Sequence, residues 1–185
     1  MLILKLEDVL GKKVLIAGEA GTGKTMLLVK LLEEANAQSI SDAVTLIDLA
    51  PKKIGEFGGR VADYLRQIGG IRLLMPVNVF APRLSGKTKD EVMSLAEKNR
   101  EAIEPLLKGF LSKPTRILFI NDLTIYLHAG DPELLEKCIE VSETFVGTAY
   151  YGTKLQDDKG SGITLRERML AERIMKKVDK VIFLE

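Results

Sequence analysis

Short, continuous apolar runs recur along the chain, separated by stretches with helical spacing. Residues 13–17, 43–48, 117–122, 145–151 and 180–184 are rich in Val, Ile, Leu, Phe and Ala and show no strict polar alternation. Runs of that length and character predict strands buried on both faces. Residues 71–75 are a further strand candidate, and 1–12 read as a short edge strand or hairpin arm. Residues 26–34 contain no helix breaker, and 60–67 suit a short helix. Thr88 followed by Glu91 forms a capping box, with Val92, Leu95, Ala96, Asn99 and Ile103 behind it at helical spacing. Pro105 is expected to kink that helix or to start a second one. Asp131 and Pro132 suit the N-cap and first position of the next helix. Thr164 and Glu167 form a second capping box, which predicts a helix starting there.

Strand and helix candidates alternate. The pattern predicts an α/β fold, a three-layer sandwich with a mostly parallel sheet and helices on both faces, as one domain over 1–185. Two connections stand out as irregular: 51–60, with Gly55, Gly58, Gly59 and the pair Lys52 and Lys53, and 75–86, which carries Asn78 and Arg83. In such sheets ligands sit beyond the carboxyl ends of the strands. Residues 18–25, Asp48, Asp122 and Tyr151 all fall at such ends and are expected to converge.

The stretch 18–25 changes the picture most. Gly18, Glu19, Ala20, Gly21, Thr22, Gly23, Lys24 and Thr25 match G-x-x-x-x-G-K-[ST], between a strand candidate and a helix candidate. Glycines at 18, 21 and 23 let successive amides turn toward an anion, and the following helix adds its unpaired N–H groups. Lys24 is expected to reach β- and γ-phosphates, Thr25 to ligate Mg²⁺, and Met26 to close the binding stretch. Asp122, after four apolar residues and Asn121, is the first candidate for the acid on the metal side. Asp48 is the second carboxylate, with either metal-side or water-polarising work open to it. Lys24, Asp122 and Asp48 are thus the catalytic candidates, and Glu19 reads as a solvated acid.

Composition adds limits. With 185 residues, 46% hydrophobic and 29% charged, the chain has the makeup of an ordinary globular domain. A net charge of +1 gives no overall basic field, and nucleic-acid binding is unsupported. Cys138 is the only cysteine, which excludes an internal disulfide, and its apolar helical surroundings predict a buried filler. No run approaches the roughly 18 apolar residues of a membrane span. The first residues lack a basic n-region, so a cytoplasmic location is expected.

The glycine loop, the strand 117–122 and the following Leu123 and Thr124 resemble the ATPase core of the RecA and KaiC group. The resemblance implies a P-loop NTPase fold, ATP and Mg²⁺ as cofactors, and an Asp at the strand end that binds the metal. It also implies a glutamate near the end of the second strand as water activator, where this chain offers Asp48 and Glu56. Asn121 and Asp122 replace the group's usual Asp-Ser pair, which permits a one-residue slip. A protein partner or homo-oligomer fits the same resemblance.

Three functional classes compete. The first is a Mg-dependent ATPase that couples turnover to a conformational change or a partner. The second is a small-molecule kinase, with 156–168 as a lid hinged at Gly160, Ser161 and Gly162 and carrying Arg166 and Arg168. The third is a nucleotide switch built on 51–60. Guanine recognition is disfavoured because Thr153 and Lys154 are followed by Asp157 one position too late. His128 reads as a surface or packing residue with no visible partner.

Overall fold

The computed structural model describes residues 4–55 and 57–185. Its elements run α1 (Leu6–Val9), β1 (Lys13–Gly18), α2 (Lys24–Ala37), β2 (Val44–Asp48), β3 (Arg72–Leu74), α3 (Pro82–Ser85) and α4 (Lys89–Ser112). They continue with β4 (Ile117–Asn121), α5 (Thr124–Leu127), α6 (Pro132–Val141), β5 (Thr144–Tyr150), α7 (Ile163–Met175) and β6 (Lys180–Leu184). The six strands lie in the order β3-β2-β4-β5-β1-β6. Every ladder between them is parallel.

The continuous apolar runs follow from burial on both faces. Val14, Ile16, Leu46, Phe119 and Val146 pack toward Leu28, Leu31, Leu32 and Ala35 of α2. The alternate residues Leu15, Ile47, Leu118 and Ile120 pack toward Ile103, Leu107 and Phe110 of α4, and toward Leu135, Cys138 and Ile139 of α6. Each fully buried Leu, Ile or Phe contributes about 1.5–3 kcal/mol of transfer free energy, so neither face tolerates a polar position without a partner. Three layers result. The α/β class and the parallel sheet match the sequence expectation.

Several local expectations change. Residues 6–9 form a helical turn rather than a strand, with Leu6 and Val9 buried one turn apart. The Glu34 carboxylate accepts the Leu6 N–H at 2.6 Å, which anchors this turn to α2. The helix expected at 60–67 shrinks to one 3₁₀ turn, Val61–Asp63. There the Ala62 N–H, free of intrahelical partners in a first turn, donates to Asp48 Oδ2 at 3.2 Å. Helix α4 runs unbroken through Pro105, its N-terminus capped by Thr88, whose hydroxyl accepts from the Glu91 N–H. Asp131 and Pro132 take the expected cap and first position of α6.

The second capping box does not form. Gly162, in the left-handed region at φ 82°, is the N-cap of α7 without a side-chain bond. Asp158 Oδ2 instead accepts the Thr164 N–H at 3.1 Å. Glu167 turns inward and is buried. Cys138 is buried as expected, and burial pushes its thiol up to about 12. No helix among the described residues is long and apolar enough to cross a membrane.

Candidate functional site

The carboxyl end of β1 runs into the glycine stretch. A side chain at Gly18 would place its Cβ 2.3 Å from the Leu184 carbonyl oxygen, so β6 approaches too closely for anything but glycine. Gly23 adopts φ 88° as the N-cap of α2, a conformation that costs other residues about 1–2 kcal/mol. Lys24 folds back over the loop. Its Nζ donates to Gly18 O at 2.9 Å and to Glu19 O at 2.5 Å. Burial lowers the Lys24 ammonium's pKa, while the charges of Asp122 and Glu19 act in the opposite direction.

Glu19 is not solvated as expected. Its carboxylate accepts the N–H groups of Ala20, Thr153 and Lys154 at 2.9, 2.7 and 3.1 Å. Partial burial opposes ionisation, but these amides, Thr153 first, hold the carboxyl below the usual range. The glycine loop is thereby fastened to residues 153 and 154.

Behind the loop, one side-chain amide connects three elements. Asn121 Oδ1 accepts from the hydroxyls of Thr25 at 3.3 Å and Thr148 at 3.0 Å. Its Nδ2 donates to Asp48 Oδ1 at 2.9 Å and to Gly59 O at 3.2 Å. The strand-end position facing Thr25 is therefore an amide, and the acid lies one residue further on. Asp48 is fully buried, bonded to Asn121 and Ala62, and stands behind the cavity wall rather than in it. Burial raises its carboxyl, against the Asn121 hydrogen bond.

Asp122 does line the cavity, as do Ala20, Gly21, Thr22, Gly23, Lys24, Thr25 and Met26. It sits at φ 56°, outside the strand, with its N–H on Thr148 Oγ1 and its Oδ1 accepting from Thr124 Oγ1 at 3.1 Å. Burial raises the Asp122 carboxyl, Glu167's charge adds to this, and Lys24's charge opposes it. The cavity measures about 440 Å³ and is also walled by Pro51, Lys53, Phe57, Gly58 and Gly59. That volume lies in the range of small-ligand sites. A strand, a glycine loop and a helix N-terminus, set in a parallel sheet with an acid just past the end of β4, across β5 from β1, decide the architecture. This is the P-loop NTPase fold.

Other expected members fall outside. Tyr151 bonds Glu172 and packs 5.8 Å from the Phe183 ring; its neighbour Tyr150 lines the cavity instead. Arg166 donates to the carbonyls of Leu127 and Gly130, and Arg168 stacks 4.2 Å over the Tyr151 ring. Neither arginine lines the cavity. Asn78 is exposed. Glu56 lies outside the described residues.

The grouping of three residues was not expected from the sequence. Arg83, His128 and Glu167 are buried and line the same cavity. His128 is bonded to Glu167 at 2.5 Å, which corrects its reading as a residue without a partner.

Two solved structures are similar to this chain at low identity. The flagellar accessory protein FlaH from Methanocaldococcus jannaschii is similar over 87% of this chain and 68% of its own, with TM-score 0.48 and 10% identity. An ATPase from the type III secretion system of pathogenic bacteria is similar over 95% of this chain, with TM-score 0.46 and 15% identity. This chain spans 51% of that ATPase's length. No protein-family model and no curated protein matches the sequence.

Proposed function

We propose that the protein binds Mg-ATP at residues 18–26 and hydrolyses it, using the nucleotide state to move the loop 51–60 and engage a partner. The observation that carries this reading is the convergence of the Lys24 ammonium and the Asp122 carboxylate on one cavity at the glycine loop. Lys24 holds only loop oxygens, which phosphate oxygens replace as stronger, charged acceptors. The loop amides and the N-terminus of α2 add fixed positive potential.

The donors also suit the metal. Among the described residues no cluster of three or more His, Cys, Asp or Glu could cage an ion. Mg²⁺ needs no cage, because it keeps waters and phosphate oxygens and takes one or two protein ligands. Thr25 and Asp122 would hold it. When bound, it would neutralise charge on the terminal phosphates and orient them. Asp48 acts by positioning Asn121.

Coupling follows the same amide. Asn121 joins Thr25 to Gly59, and Asp48 joins Asn121 to Ala62, so a shift at Thr25 reaches both ends of the 59–62 turn. A kinase reading loses its lid arginines, since Arg166 and Arg168 are turned to backbone carbonyls. Phosphorus NMR of Mg-ATP and Mg-GTP incubated with the protein tests the proposal. Phosphate release from ATP that Lys24→Ala abolishes is expected; equal release by that variant would refute it.

A further inference from the structure

Part of the cavity wall carries buried charge that the glycine loop does not use. Glu167 on α7 forms a fork-to-fork pair with Arg83 on α3, Nη1 to Oε1 at 2.9 Å and Nη2 to Oε2 at 3.0 Å. The same carboxylate also holds His128 Nε2. The Arg83 and Glu167 side chains are only 5% and 4% exposed. The guanidinium lies 5.3 Å over the Tyr150 ring, and its Nη1 also reaches Thr164 Oγ1 at 3.3 Å. Buried ion groups of this kind stabilise a fold no better than an apolar trio of similar volume. Their place is in the same wall as Lys24, Asp122 and the glycine loop. The charge of Glu167 is felt at Asp122, as is that of Lys24, so the two groups form one electrostatic system.

We propose that Arg83 is a terminal-phosphate ligand held in reserve by Glu167, and that it makes the site distinguish nucleoside triphosphates from diphosphates. The inference rests on the nucleotide reading above. A guanidinium fork fits a phosphate as well as a carboxylate, and the phosphate carries more charge. Glu167 keeps its hydrogen bond with His128 Nε2 when Arg83 leaves. A diphosphate lacks the γ-phosphate that Arg83 would bind, so Arg83 then stays on Glu167. Arg83 is also the side-chain tie from α3 to Thr164 and Glu167 on α7. The exchange would therefore release or restore that tie according to the nucleotide bound.

Calorimetric titration with Mg-ATP and Mg-ADP tests this on wild type, Arg83→Gln, Glu167→Gln and the double variant. In Arg83→Gln, ATP affinity is expected to fall about tenfold or more, the worth of one charge-assisted hydrogen bond, with ADP affinity held within about twofold. Glu167→Gln keeps the guanidinium and removes its competing carboxylate, so the preference for ATP over ADP is expected to rise. The double variant leaves no buried charge unpaired between the two positions, which guards against misfolding of the single variant. It should repeat the Arg83→Gln preference. Equal losses for ATP and ADP would show Arg83 to be a brace only, as would a preference that falls in Glu167→Gln. Wild-type protein that binds neither nucleotide would bring down the nucleotide reading and this inference with it. Binding of both, with an unchanged preference in Arg83→Gln and the double variant, would sink the inference alone.

Discussion

Replacing Asn121 by aspartate tests the junction behind the glycine loop most directly. The substitution keeps shape and volume but places a second carboxylate where an amide N–H now meets Asp48 Oδ1 at 2.9 Å. Two full charges at that distance repel by about 6 kcal/mol at an effective dielectric near 20. Protonating one carboxylate is the alternative. From an ordinary Asp value of about 3.9, holding a proton at pH 7 costs about 4 kcal/mol, at about 1.4 kcal/mol per pH unit. The smaller figure governs, so Asn121→Asp should lose about 4 kcal/mol at pH 7, a large part of a domain's usual stability. The sign follows from linkage. The pair's folded-state pKa is raised above the unfolded value, so its stability is intact below about pH 4 and is lost as pH rises toward neutrality. At pH 5 the loss should shrink to about 1.5 kcal/mol. Urea unfolding at pH 5 and pH 7 measures both figures. Combining Asp48→Asn with Asn121→Asp restores one amide and one carboxylate and should recover most of the loss. An Asn121→Asp protein as stable as wild type at pH 7, or equally weakened at both pH values, would refute an ionised Asp48 beside this position.

Three further outcomes are expected. Lys24→Ala removes a side chain bonded only to loop oxygens, so ATP affinity should drop at least about tenfold with little change in melting temperature; unchanged affinity in a titration would sink the site. For Asp122→Asn the ATP-binding defect should be larger with Mg²⁺ than with EDTA, and equal defects would count against a metal role. Glu136 is held below its usual range by Arg173 first, against burial, and then by Lys177. Its contribution is present above an ordinary Glu value and lost as pH falls through the lower folded one. The stability gap between wild type and Glu136→Gln should therefore close on acidification, and a gap that stays constant from pH 7 to pH 3 would contradict the pairing.

The sheet was legible because burial on both faces leaves continuous apolar runs, as in Leu15 with Ile16 and Phe119 with Ile120. The glycine loop was legible because its chemistry lies in the backbone and leaves a local spacing. Errors gathered where strands end. Successive strand residues point to opposite faces, so one residue decides between cavity and packing. Tyr150 lining the cavity in place of Tyr151 is a case of this parity. Glu167 illustrates a different failure. Its spacing from Thr164 satisfied a local capping rule, but Arg83, 84 residues earlier, and His128 claim its carboxylate. Nothing local in the sequence announces a partner so distant. The turn at 6–9 could have been read from Leu6 and Val9, which are spaced as one helical turn.

The Asn121 amide also has a direction. Turned end for end, its carbonyl oxygen would face Asp48 Oδ1 and Gly59 O, both acceptors, so only one orientation is allowed. With the oxygen fixed toward Thr25, the Thr25 hydroxyl must spend its single proton on Asn121. Both of its lone pairs are then left for the cavity. Asp48, which touches nothing there, thus orients the threonine as a lone-pair donor before any cation arrives.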